Sequence, residues 1–157
     1  MLFSKRIRLN TLVSPLTRYF RTQRMNKFQK LFSITQETRI LDIGGTVDIW
    51  SFVTAKPQIT ILNLYPPVYP VKEENVNWVI GDARDLPFKD KEFDIAFSNS
   101  VIEHVGDISS QKDFAKEISR VGRHYYVQTP NKWFPVEPNF MAPLIHFLPK
   151  SLQKKKL

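Results

Sequence analysis

Residues 39–46, which read RILDIGGT, constrain the fold more than any other part of this chain. An apolar run that ends in paired glycines is typical of a buried parallel strand entering a tight turn, where a ligand can approach bare backbone. The acid at Asp42 comes before Gly44 and Gly45. A carboxylate at the end of a strand repels a pyrophosphate and attracts positive charge. The segment therefore predicts a site for a cationic ligand, and it lacks the G-x-G-x-x-G spacing of dinucleotide-binding turns.

Four further apolar or β-branched runs predict the rest of a sheet. The five predicted strands are residues 39–43, 59–64, 77–80, 93–98 and 124–129. Short apolar runs are expected where both faces of a parallel sheet are covered. Strands that alternate with crossovers indicate an α/β fold with a doubly wound, mainly parallel sheet of about five strands in the order 3-2-1-4-5.

The connections between these strands are also patterned. Apolar residues from about 15 to 32 predict one helix, and the prolines of residues 66–70 exclude a helix after the second strand. A second helix is predicted behind the polar cap at Asp107, because apolar residues recur there at i, i+4 and i+7. These residues are Phe114, Ile118 and Val121.

Two other strand ends carry polar residues that would meet the glycine turn at one edge of the sheet. Asn63 ends the second strand, where an amide can accept one hydrogen bond and donate another; it equally suits a turn before Pro66. Asp82 and Ala83 follow the third strand. A carboxylate and an adjacent N–H can read the edge of an adenine ring, although an acidic loop alone is simply a loop. The three strand ends together predict a pocket for a cationic nucleoside.

The chain's 157 residues suit one core, and its net charge of +8 is concentrated at the two ends. Residues 1–36 hold eight Lys/Arg and no acid, and the tail from Phe147 adds four lysines. Such ends favour nucleic acid, anionic membrane surfaces or acidic substrates, or they are solvated helix faces. We expect a cytoplasmic protein with peripheral membrane contact as an option; an acid-free, Arg-rich N-terminus leaves a mitochondrial transit segment as the alternative.

The motifs at residues 39–46, 59–64, 81–88 and 93–105 resemble the successive motifs of class I S-adenosylmethionine-dependent methyltransferases. The similarity is greatest to the group whose fourth strand runs into the segment SNSVIEHV, here residues 98–105. The resemblance covers about residues 18–131. It implies a Rossmann-like core at 36–131, between a basic helical segment at 1–35 and a Pro- and aromatic-rich, then helical, segment at 132–157.

The resemblance also implies residue roles around S-adenosylmethionine. The methionine part would be lined by Asp42, Gly44, Gly45 and Thr46, and the ribose by Asn63. The adenine would be lined by Asp82 and Ala83, and the methionine amino group would lie beside Asn99. With Glu103, the acids Asp42 and Asp82 would make the crevice negative.

Three departures from the family pattern bear on function. Val47 and Asp48 stand where the turn usually carries another glycine, and Asn63 replaces the acid that usually binds the ribose. Some quinone O-methyltransferases of this fold carry a metal-associated glutamate where this chain has Ser100, so we predict no metal. If the acceptor must lose a proton, His104 is the candidate base, with a capping or core role as its alternative.

The edge of the sheet beyond the fifth strand departs from the family pattern as well. Class I folds continue past the fifth strand with an antiparallel pair, for which we expect no room after Thr129; residues 140–147 are predicted to be helical instead. The fifth strand would then be an edge that a homodimer or another partner covers.

We expect a methyltransferase acting on a small-molecule or lipid-like acceptor. The alternatives are a catalytically inactive, truncated cofactor-binding partner protein and a basic protein that binds nucleic acid or membrane surfaces.

Overall fold

The computed structural model describes residues 18–129, 136–137 and 142–143. Within them, a five-stranded sheet has the order β3-β2-β1-β4-β5, and every neighbouring pair is parallel. The strands are β1 (Arg39–Ile43), β2 (Gln58–Asn63), β3 (Val76–Ile80), β4 (Phe93–Asn99) and β5 (Gly122–Gln128). Two helices accompany them, α1 at residues 18–31 and α2 at Ile108–Val121. The predicted fold class and strand order are confirmed.

The sheet separates two apolar cores. One face packs against α1 and the short 3-10 helix Val47–Phe52, through Met25, Phe28 and Trp50. The other face packs against α2, through Phe114, Ile118 and Val121. Because β1 and β4 are covered on both sides, their residues form the near-continuous apolar runs visible in the sequence.

Helix α2 forms as its sequence pattern predicts. The Asp107 carboxylate caps it by accepting a hydrogen bond from the Ser110 N–H at 2.9 Å, and Gly122 follows its last turn. Phe114, Ile118 and Val121 are its buried residues, which confirms the predicted i, i+4, i+7 face. The helix therefore returns the chain to begin β5 beside β4.

The connection between β2 and β3, residues 64–75, contains no helix, as the prolines predicted. The crossover from β1 to β2 contains only the 3-10 helix Val47–Phe52. None of the helices in the described residues is long and apolar enough to cross a membrane.

Two expectations for the C-terminal region are wrong. Val136–Glu137 and Ala142–Pro143 form a two-residue antiparallel ladder, labelled β6 and β7, separate from the five-stranded sheet. Strands therefore do follow Thr129, and the predicted helix at 140–147 does not include Ala142 or Pro143. Pro143 lacks an N–H for a helix interior, which favours an extended conformation there. The remaining predictions for residues 1–17 and for the rest of 130–157 lie outside the described residues, and the three-segment division of the chain stays a prediction.

Candidate functional site

A cavity of about 370 Å³ opens at the carboxyl ends of the parallel strands. Parallel α/β sheets bind ligands at this edge because the loops that follow the strands converge there. Five predicted site residues line the cavity: Gly44, Asn63, Asp82, Ala83 and His104. Asp42, Gly45, Thr46 and Asn99 are outside its lining. The three predicted strand ends thus do meet at one cavity.

The glycine turn is set by packing as well as by conformation. Gly44 has a φ of 70°, and a Cβ placed on it would lie 2.7 Å from a methyl group of Val101. Its N–H donates to the Leu62 carbonyl at 2.8 Å, which ties the turn to β2. A Cβ on Gly45 would overlap the Asp42 carboxylate. Both glycines are therefore required for the turn to lie this close to Val101 and to Asp42.

The Asp42 carboxylate lies beneath this turn and is fully buried. One oxygen accepts a hydrogen bond from the Trp50 indole at 2.8 Å, and the other has no partner among the described residues. Burial raises the pKa of Asp42 to about 7, and the Trp50 hydrogen bond opposes the shift. At neutral pH the group is therefore only partly ionised, and its predicted role toward the methionine part stays a prediction.

Asn63 joins the first two strand ends. Its amide nitrogen donates to the Gly45 carbonyl at 3.3 Å, and its amide oxygen accepts from the Leu64 N–H at 3.0 Å. Asn63 therefore stabilises a turn, as one prediction had it, and also lines the cavity; its predicted role toward the ribose stays a prediction.

Asp82 is paired with Arg84, a cavity-lining residue that the sequence reasoning missed. The guanidinium donates to both carboxylate oxygens, with a shortest separation of 2.6 Å, and the Arg84 backbone N–H donates to one of them at 2.9 Å. These bonds to Arg84 hold the pKa of Asp82 below its usual range. The only available sequence signal was an arginine two residues after the acid.

The crevice is consequently less acidic than the sequence predicted. Asp42 is buried under the turn, Asp82 is neutralised by Arg84, and Glu103 is not part of the cavity lining. The expectation of a negative crevice is not met by this cavity, because its lining holds only one of the three acids, Asp82, and Arg84 pairs with that carboxylate.

The fourth strand end supplies the remaining wall. Ser100 takes a left-handed φ of 60° and donates its N–H to the Gln128 carbonyl of β5 at 2.8 Å. The 3-10 helix Ile102–His104 follows and places His104 in the lining. Val101 and Val105 give the same wall an apolar surface. Sequence reasoning singled out His104 but missed these two valines, which no isolated motif marks.

Helix α2 fixes the loop that carries Asp82 and Ala83. Arg120 donates to the carbonyls of Leu86 and Phe88 at 2.9 and 2.7 Å, and Glu117 accepts from the Leu86 N–H at 2.8 Å. Arg120 and Glu117 also pair with each other at 2.6 Å, which lowers the pKa of Glu117. The third strand end is therefore held against the body of the protein.

Among the described residues, no group of three or more His, Cys, Asp or Glu side chains is placed to hold a metal. The expected absence of a metal stays a prediction.

Solved structures with 16–20% sequence identity share this fold. A protein assigned as a methyltransferase from an antibiotic biosynthesis pathway of Anabaena variabilis is 20% identical, with a TM-score of 0.59 over 85% of this chain and 58% of that one. A Haloferax volcanii protein assigned as a methyltransferase, solved in complex with the methyltransferase activator Trm112, is 18% identical, with a TM-score of 0.56 over 71% and 52%. A protein of Methanococcus maripaludis assigned as S-adenosylmethionine-dependent is 16% identical, with a TM-score of 0.53 over 76% and 60%.

The chain spans between half and three fifths of the length of these structures. The family model described as a methyltransferase domain matches residues 41–124, more than half of the chain. This match confirms the predicted resemblance and, with it, S-adenosylmethionine as the cofactor of the family. The chain belongs to the methyltransferase domain family.

Proposed function

We propose that this chain transfers a methyl group from S-adenosylmethionine to a small-molecule or lipid-like acceptor. The observation that carries the proposal is the convergence of Gly44, Asn63 and the Asp82–Ala83 pair on one cavity at the carboxyl edge of the sheet. The resemblance to the family assigns each of these residues to one part of the cofactor, and their shared cavity supports that assignment. The acceptor itself is not identified by any of them.

The cavity suits a cofactor of this kind. Its volume of about 370 Å³ falls within the usual range of ligand pockets, about 300–1,000 Å³. Gly44 and Gly81 line the cavity, and Val101 and Leu62 pack closely against the positions where their side chains would be, so each glycine lets the chain lie close to the cavity wall. Asp82 and Ala83 lie together in the same wall as an acceptor and a backbone donor.

The protein's own contribution is mainly positioning. When bound, S-adenosylmethionine supplies a methyl group already activated on a sulfonium. The glycine turn and the Asp82 loop orient the nucleoside, and Val101 and Val105 exclude water from their side of the cavity. His104 is the lining side chain suited to accept a proton from an acceptor hydroxyl or amine.

Calorimetry with S-adenosylhomocysteine tests the binding step. We expect Asp82→Ala to weaken binding about tenfold or more, because it removes a charged hydrogen-bond acceptor from the cavity wall. Asp85→Ala is the matched control, since Asp85 belongs to the same loop but lies outside the cavity lining. Absence of binding by the parent chain, or equal effects of both substitutions, would contradict the proposal.

A labelled-methyl assay on fractionated cell extract tests catalysis. His104→Gln should lower transfer without weakening S-adenosylhomocysteine binding if His104 serves as a base. Binding without transfer to any acceptor would favour the second candidate, a cofactor-binding partner protein without catalysis. The internal engagement of the Asn63 amide and the Asp82 carboxylate supports that candidate.

The remaining proposals concern location and partners. We propose a cytoplasmic protein with a peripheral anionic-membrane contact through its basic ends, nucleic-acid binding being the alternative, and a homodimer or other partner at the edge of β5. The Haloferax relative, solved with an activator protein, is a precedent for a partner. Gel filtration with light scattering tests the partner, and salt titration of nucleic-acid binding tests the contact.

A further inference from the structure

Residues 64–71, here called the apolar loop, are unlike the rest of the protein surface. They read LYPPVYPV and contain no charged residue, and the uncharged stretch extends back to Pro57. The loop follows β2 directly and leads toward β3 without a helix. Apart from Leu64, which lines the cavity, no part of the loop serves the function proposed above.

The large side chains of the loop face solvent instead of packing on the sheet. Tyr65, Val68 and Tyr69 are 73%, 88% and 80% exposed, and Leu64 is 58% exposed. Ile80, the register partner of Asn63 on β3, adds another exposed apolar side chain at the base of the loop. Contiguous exposed apolar surface of this kind marks an interaction site, whereas single exposed residues do not.

The loop is anchored at its base and projects at its tip. The Leu64 N–H donates to the Asn63 amide, and the Trp78 indole donates to the Tyr65 carbonyl at 3.2 Å. None of the hydrogen bonds recorded among the described residues involves residues 66–71. Three prolines within the loop limit its conformations, so its shape is set before it meets a partner.

The loop borders the cavity. Leu64 belongs to the cavity lining, next to Asn63, while Val68 and Tyr69 lie beyond it. A surface that docks through the loop would therefore be brought up to the mouth of the candidate site.

A lipid bilayer fits the chemistry of the loop best. The headgroup boundary accommodates tyrosine, whose ring is apolar and whose hydroxyl is polar, together with aliphatic side chains. The absence of charge within the loop removes the largest cost of insertion, although Glu73 and Glu74 follow it closely. The basic residues at the two ends of the chain, which account for its net charge of +8, supply the attraction to an anionic leaflet. We infer that the apolar loop inserts into the boundary of an anionic membrane and docks the cavity there. Such docking would bring a lipid-borne methyl acceptor to the mouth of the cavity. Only this consequence, and not the docking itself, rests on the proposed function.

Flotation of the full chain with vesicles tests the inference. The vesicles contain equal parts of phosphatidylcholine and phosphatidylglycerol, and binding is measured at low and at high salt. We expect binding that partly persists at high salt, since an apolar contribution is not screened. Val68→Ser with Tyr69→Ser should reduce the partition coefficient about tenfold or more, because two apolar side chains no longer leave water.

Ile108→Ser with Tyr125→Ser is the matched control, since these residues are also exposed and lie outside the loop, at 72% and 62%. It should alter partitioning by less than about twofold. A separate Val68→Trp variant should be quenched by lipids brominated on their acyl chains, and Ile108→Trp should not. Circular dichroism verifies that each variant is folded.

Three results would overturn the inference. They are no vesicle binding by the parent chain, equal loss in the loop and control variants, and loop-dependent self-association without vesicle binding, which would assign the loop to protein contacts. Binding of S-adenosylhomocysteine is measured in parallel. If it fails while the chain binds vesicles, the proposed function falls and the docking inference remains.

Discussion

The buried carboxylate of Asp42 should make the stability of this protein depend on pH. Burial raises its pKa from 3.8 to about 7 in the folded state, while the unfolded chain keeps the ordinary value. Between these values the folded protein holds a proton that the unfolded chain has already released. Stability therefore falls as pH rises through this interval and levels off above about pH 7.

The size of the effect follows from the shift. Each pKa unit corresponds to about 1.4 kcal/mol. As the pH rises from 3.8 to about 7, the free energy of unfolding therefore falls by about 4 kcal/mol. Carboxylates paired in the folded state, such as Asp82 and Glu117, have lowered pKa values, so their contributions are lost only at more acidic pH. Asp42 can therefore be measured separately from them near neutral pH.

Asp42→Asn isolates this contribution because it keeps the shape of the side chain and an oxygen for the Trp50 indole. Urea unfolding at a series of pH values gives the free energy of unfolding of parent and variant. Between about pH 5 and about pH 8 the parent should lose about 3 kcal/mol of this free energy relative to the variant. Trp50→Phe should extend the loss of stability to higher pH, since it removes the hydrogen bond that stabilises the ionised carboxylate and so raises the pKa of Asp42 further. A difference between Asp42→Asn and parent that stays constant with pH would refute the reasoning.

Three other predictions concern the turn and the loop of the candidate site. Gly45→Ala should destabilise the fold by about 1–3 kcal/mol, because its Cβ would overlap the Asp42 carboxylate; unchanged urea unfolding would contradict this. Arg84→Ala should raise the pKa of Asp82 toward its ordinary range, as followed by NMR titration, and should tighten S-adenosylhomocysteine binding by freeing the carboxylate; weaker binding would show that Arg84 itself holds the ligand. Arg120→Gln should lower the melting temperature by about 4 °C or more, because it loses charged hydrogen bonds to two loop carbonyls, and Lys116→Gln, an exposed change on the same helix, should not.

The sheet was predictable because its determinants are local. The strand at 39–43 and the strand at 93–98 are buried on both faces, so burial alone makes them apolar runs that a reader of the sequence can find. The Asp107 cap and the apolar spacing of α2 are likewise contained within one short segment. The C-terminal strands were missed because a two-residue ladder carries too little pattern to outweigh an apolar helical spacing.

The sequence predicted which strand ends meet at the candidate site, but neither its full lining nor its electrostatics. Chain order placed Gly44, Asn63 and Asp82 at neighbouring strand ends, since parallel strands deliver their carboxyl ends to one edge. The pairing of Asp82 with Arg84 and the two hydrogen bonds of Asn63 depend on side-chain directions in tight turns. Sequence spacing does not specify those directions.

Residues 39–46 show which properties follow from the sequence and which follow from the tertiary structure. By itself the sequence determined that residues 39–46 form a buried strand that ends in a glycine turn, because burial and backbone freedom are properties of residue types. Only the tertiary structure decided that Asp42 lies under Gly45 against Trp50, and that its pKa rises to about 7. The physical reason is that a carboxylate's charge state depends on its distance from water and on its hydrogen-bond partners, and both are set by elements distant in sequence or on the opposite side of a turn.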